Sequence, residues 1–103
     1  MTESEDAHEL MPTGVAERIP PLYATEDEAD PIVYLKWFTP DSSWTWFVTE
    51  YDPQNRLCFG LVHGHERELG YFSLDEIESV RGPLGLRIER DLYWEPKPLS
   101  QCQ

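Results

Sequence analysis

The sequence predicts an α+β domain, an antiparallel β-meander of about four to six strands with one short capped helix packed on one face. Three observations carry that prediction. Between Ile32 and Phe72, runs of aromatic and β-branched residues alternate with a period of two. The links between those runs are a few residues long and hold Pro, Asp, Asn or Gly, too short for the crossover that parallel neighbours need. One segment alone, "FSLDEIESVRGPLG" (Phe72–Gly85), switches to helical spacing and carries start and stop signals.

Taken in order, "IVYLKWF" (Ile32–Phe38) opens the sheet, with Val33, Leu35 and Trp37 on one face and Tyr34 and Lys36 on the other. "TPDSS" follows as a turn pivoting on Pro40 and Asp41. In "WTWFVTEY" (Trp44–Tyr51), Trp44, Trp46 and Val48 share one side, and Thr45, Phe47 and Thr49 the other. "DPQN" (Asp52–Asn55) is a second turn, with Pro53 suited to its second position. "RLCFGLVH" (Arg56–His63) puts Leu57, Phe59 and Leu61 together, and after "GHE" the run "RELGYF" (Arg67–Phe72) makes a fourth strand. Such alternation fits a sheet with one wet face, so the dry face needs a cover.

The helix supplies it. Ser73 and Glu76 form a capping box, Phe72 can staple onto Ile77, and Leu74, Ile77 and Val80 line an apolar stripe. Asp75 and Glu76 sit at the positive end of the helix dipole and Arg81 at the negative end, with Gly82 and Pro83 as the stop. Beyond it, "LGLRIERDLYW" (Leu84–Trp94) reads as one bent strand or two short ones, and "EPKPL" (Glu95–Leu99) as an extended tail.

A chain of 103 residues implies one domain, and its charge of −12 is unevenly spread. Residues 1–30 hold nine acids against Arg18 alone, while residues 31–103 hold eleven acids and seven bases. A run of like charges with few large apolar residues buries too little surface to offset its ordering entropy. Residues 1–18 are therefore expected to be a disordered acidic leader, residues 19–99 the folded domain, and residues 100–103 a flexible tail. Within "IPPLYAT" (Ile19–Thr25), Leu22 and Tyr23 are expected to dock. No apolar run approaches the ~20 residues that span a bilayer, and the acidic N-terminus lacks the order of a secretory signal. A cytoplasmic protein without membrane contact is expected. Cys58 and Cys102 have neither zinc spacing nor the look of a structural disulfide.

Two stretches, "PPLYATEDEADPIVYLKWFTPDSSWTWFVTEYD" and "FGLVHGHERELGYFSLDEIESVRGPLGLRIERDLYWEPKPL", resemble the bacterial family known as domain of unknown function 2958. The likeness runs from about Pro20 to Leu99, and "ELGYFSLDEIESVRGPLGLRIERDLYWEPKPL" is its most specific part. The resemblance implies a small bacterial protein of a kind often encoded on plasmids and mobile elements, near conjugation or anti-restriction genes. It implies no established reaction, cofactor or catalytic residue. The leader, Met1 to about Arg18, lies outside the shared pattern.

Candidate chemistry begins with "VHGHERE", where His63 and His65 flank a turn and Glu66 or Glu68 could complete a metal site. Catalytic zinc sites draw ligands from several separated elements, whereas these all lie within six residues, so an exposed hairpin tip explains them better. Cys58 lacks a base within reach, and no nucleophile elbow, phosphate loop or dinucleotide fingerprint is present. An enzyme is therefore disfavoured, no cofactor is expected and no catalytic residue is assigned. The "WTWF" and "YLKWF" aromatics would suit base stacking, yet stacking surfaces work beside a basic groove that this acidic chain lacks. Direct nucleic-acid binding is disfavoured on that ground.

The leading expectation is a protein-interaction module of monomer size, with an unspecified protein partner. Two surfaces are candidates: the open side of the meander, through Tyr34, Phe47 and Tyr71, and "WEPKPL", through Trp94, Pro96 and Pro98. For the second, packing over a sheet edge is the plainer explanation. The alternative function is an acidic, DNA-mimicking inhibitor of a host DNA-defence protein, in which carboxylates stand where phosphates would lie. Against it, an acidic tail more often serves solubility.

Overall fold

The meander forms where the alternation predicts it. In the computed structural model, which describes residues 6–102, β3 (Thr45–Asp52), β4 (Leu57–His63) and β5 (Arg67–Ser73) are consecutive antiparallel neighbours. β2 (Leu35–Phe38) joins the other side of β3, and the two-residue β6 (Glu89–Arg90) completes the order β5-β4-β3-β2-β6. β5 is thus an edge strand.

The first run does not stay on one face. It breaks at Tyr34, so that β1 (Ile32–Val33) leaves the main sheet and pairs with β7 (Lys97–Pro98), while Leu35 and Trp37 stay in β2. Val33 consequently joins a small cluster with Phe47, Leu61 and Cys102. Leu35 and Trp37 belong to the larger core, with Trp46, Val48, Cys58 and Phe72. A pattern of two-residue alternation cannot reveal a break of this kind, because both halves remain extended.

The sheet also has covers on both faces, where the sequence implied one wet face. Helix α2 (Leu74–Ser79) buries Leu74 and Ile77 over the larger core. Its start is as expected: the Ser73 hydroxyl accepts from the Glu76 N–H at 3.2 Å. Its end comes early, because Val80 is already extended (ψ 144°) and half out of the core, so the stripe has two members. At the other end, Arg56 donates from Nε to Asp75 (2.6 Å) and from its guanidinium to Glu78 (2.7 Å), tying the β3–β4 turn to the helix.

The larger departure concerns the leader. Residues 1–5 lie outside the described residues, but residues 6–18, expected to be unordered, are laid across the same face as α2. Leu10 is 2% exposed, and its carbonyl accepts from Trp37 Nε1 at 2.8 Å. A short helix, α1 (Thr13–Ala16), follows, with Val15 and Ala16 packed on the core and Ile19 buried. The Ala7 carbonyl accepts from the Arg90 N–H, and the Glu9 carbonyl from Arg90 Nε at 2.6 Å. Composition missed this because a few well-placed apolar side chains suffice. Leu10, Met11, Val15 and Ile19 meet one ready-made surface while Glu9 and Glu17 stay outside.

The opposite face is covered by the C-terminal segment. Leu99 donates its N–H to Pro31, and Ser100 donates from N–H and hydroxyl to the Asp30 carboxylate at 2.8 and 2.7 Å. A 3₁₀ turn (Leu99–Gln101) then buries Cys102, so the tail expected to be flexible is seated up to that residue; Gln103 lies outside the described residues. Among the described residues no helix is long and apolar enough to cross a membrane.

Candidate functional site

The site grows from an irregularity in β3. Pairing with β4 runs Val48↔Gly60 and then Glu50↔Phe59, which leaves Thr49 as an extra residue, a β-bulge. The strands approach so closely here that a Cβ at position 60 would collide with the Phe47 carbonyl oxygen, which only glycine avoids. After the bulge the sides are exchanged. Tyr51 joins the larger core, and Glu50 turns to the tail-covered face beside Phe59.

Glu50 is 2% exposed, and both carboxylate oxygens are used. Oε1 accepts from the Tyr23 N–H at 2.8 Å, and Oε2 from the Thr25 N–H at 3.0 Å and from the Thr25 hydroxyl. Bonds to a charged acceptor are the stronger kind, so this buried acid fixes the loop that crosses it. Tyr23 is held there with φ +74°, a left-handed backbone that a bulky residue adopts only under constraint.

The constraint aims an aromatic group. Tyr23 and Tyr71 meet edge to face at 6.4 Å between centroids, and Tyr71 and Phe59 pack at 4.9 Å. The rings and Leu69 wall a cleft of about 320 Å³, with Glu50 at its floor and Glu26 and Glu28 among its lining. The Tyr71 phenol is raised above its ordinary value, first by hydrogen bonding with Tyr23 and further by the nearby charges of Glu50 and Glu26. The described lining residues include no histidine, cysteine, lysine or arginine. It has apolar walls with acidic side chains around them.

Other sequence candidates are dispersed. His63, His65 and Glu66 are all exposed at the β4–β5 hairpin. By alternation His63 follows Leu61, on the tail side, whereas His65 lies edge-on to Trp44 at 5.5 Å, and Trp44 stacks on Trp46 of the opposite face. The imidazoles therefore diverge, and among the described residues no three His, Cys, Asp or Glu side chains gather as metal ligands would. Cys58 is fully buried, and burial pushes its thiol up to about 12.

Of the aromatics expected to surface, only Tyr71 does. Phe47 is 3% exposed, covered by Trp94 at 5.9 Å, and Tyr34 is half-buried against the larger core. Trp94 donates from Nε1 to the Val33 carbonyl at 3.1 Å, with the Lys97 ammonium 4.4 Å from its ring. Pro96 is exposed, and Pro98 pairs with Ile32 in the small sheet. "WEPKPL" is thus a cover over a face and not over the sheet's edge. The residues missed were Glu50, Phe59, Leu69 and the acids at 26 and 28; a lone carboxylate inside the strand "WTWFVTEY" was the available signal for the first.

Fold and site together define a small α+β domain with an open antiparallel sheet and an aromatic-walled cleft beside an edge strand. Residues 5–102 match the family described as "Protein of unknown function (DUF2958)", and the chain belongs to that family. The match takes in the leader, which the resemblance had left outside. Comparison with curated proteins and with solved structures finds no match.

Proposed function

We propose that the protein is a non-catalytic interaction module that binds a protein partner on the open half of its tail-covered face and along β5. One observation carries this reading. Leu69 (59% exposed) and Tyr71 (51%) stand uncovered on a seven-residue edge strand, beside Tyr23 (62%). Edge strands of this length are normally blunted, and clustered exposed apolar side chains mark contact surfaces. A photo-crosslinking residue at position 71 should capture one defined protein in lysate of the native host, and the same residue at position 54, in the β3–β4 turn, should not. Equal capture at both positions, or none, refutes the reading.

The second reading, an acidic competitor for a DNA-binding host protein, gains from the placement of the acids. Asp30 is fixed by Ser100, and Glu26 and Glu28 follow a loop anchored on Glu50, so these charges sit on a folded surface. Carboxylates held in place can oppose a phosphate-binding patch by the attraction that drives DNA association. Displacement of the captured partner by double-stranded DNA at low salt supports this version; indifference to DNA removes it.

A further inference from the structure

We propose that the cleft between Tyr23, Phe59 and Tyr71 receives a lysine or arginine side chain from an extended basic segment of the partner, lying along β5. This occupant presupposes the interaction-module reading and adds the chemistry of what is bound. Four features of the cleft point the same way.

The walls are aromatic and set at angles, with Tyr71 inclined 62° to Tyr23 and 58° to Phe59. Tyr71 is therefore not stacked face to face on either neighbour, and Tyr71 and Tyr23 remain 51% and 62% exposed. Ring faces carry negative charge density and attract cations. The acids are all of one sign: Glu26 and Glu28 at the rim and Glu50 below, with no described basic residue among the lining. A neutral or anionic guest would leave that charge unanswered. Glu50 is itself occupied by the Tyr23–Thr25 loop, which makes it a fixed source of field while Glu26 and Glu28 remain exposed to a guest.

Size and preorganisation agree. At about 320 Å³ the cleft has the volume of the smallest ligand pockets, suited to one long side chain. The Tyr23 backbone is already held in its left-handed conformation by Glu50, so binding need not order that part of the loop. The same face also shows the contact in miniature, in the Lys97 ammonium 4.4 Å from the Trp94 ring. The partner is extended because β5 is a free edge. A strand added there sends every second side chain toward the face that holds Leu69 and Tyr71.

The test uses the full chain, ¹⁵N-labelled, and a capped heptapeptide alternating valine with arginine and lysine. Its counterparts carry glutamine, or glutamate, at the basic positions. The basic peptide should shift the amides of Tyr23 and of Leu69 to Tyr71, and bind at least about fivefold tighter than the glutamine peptide at low salt. Tyr71→Ala should abolish that preference, Tyr71→Phe should keep it, and Glu26→Gln with Glu28→Gln should weaken it about threefold or more. Equal affinity of basic and glutamine peptides overturns the proposal, as do shifts that map elsewhere, for example around Glu9 and Glu17. Crosslinking at position 71 that succeeds while the peptide test fails leaves the interaction module standing and removes only the cationic guest. Failure of both removes both.

Discussion

The two faces of the sheet are built to different standards. The leader-covered face is sealed by three separate segments, the 6–19 stretch, α2 and Ile88, around Trp37, Val48 and Cys58 at no exposure. The tail-covered face has the C-terminal segment over Val33, Phe47 and Leu61, and the Tyr23–Thr25 loop over Glu50. Beyond those covers, Phe59, Leu69 and Tyr71 stand at or near the surface. The difference separates two tasks on one sheet. Burial is concentrated where the covers overlap, and apolar surface is left open where they stop.

Substitutions can break or sharpen that contrast. The largest effect is expected at Trp37, which is wholly buried and bonded to Leu10. Trp37→Ala should cost about 3–5 kcal/mol in denaturant unfolding. Leu10→Ala should cost about 2–4 kcal/mol by the same measurement, the value of a buried leucine; a cost near zero would mean the leader does not hold the fold. Glu50→Ala strips acceptors from Tyr23 and Thr25 and should cost about 2–3 kcal/mol. Should it exceed the Trp37 effect, the tail-covered face is not the softer one.

Thiol chemistry offers a fourth comparison. Cys58 and Cys102 are free and buried on opposite faces, and burial raises both thiols. Under native conditions alkylation should reach Cys102 at least about tenfold faster, through local opening of the terminal turn. Equal rates would equate the two covers. The raised Cys58 thiol also sets a sign for pH. Its contribution to stability is whole below the ordinary value of 9.0 and is lost as pH rises toward about 12. The smallest effect is expected at Tyr71, where Tyr71→Ala gives up only cross-strand ring contacts with Phe59 and Tyr23. It should cost about 1 kcal/mol and yet remove crosslinking-partner affinity.

What the sequence disclosed was local. The pairing of β3, β4 and β5 and the Ser73–Glu76 cap involve neighbours or adjacent strands, and both are found as expected apart from the bulge at Thr49. What it concealed was made by distant partners. Arg90 holds the leader carbonyl of Glu9 across 81 positions, and Tyr23 meets Glu50 across 27. No period or propensity encodes such meetings. The histidines of "VHGHERE" are near neighbours in the chain, whereas the cleft joins residues from five places, 23–31, 49–50, 59, 69–71 and 99. Its traces were the exposed-face candidate Tyr71 and one acid in an apolar strand.

The single extra residue at Thr49 works like a frameshift in the strand's inside–outside code. Deleting Thr49 leaves Val48, Glu50 and Tyr51 on their present faces. One residue inserted opposite it in β4 would instead draw Thr49 into regular pairing, point the Glu50 carboxylate into the main core and expel the Tyr51 ring, two errors from one edit. Exchanging any one side chain there can produce only one of them. In a mutational survey of the β3–β4 pair, a residue added opposite Thr49 should therefore cost more than an exchange or loss of Thr49 itself, and the cleft owes its floor to an arithmetic of odd and even.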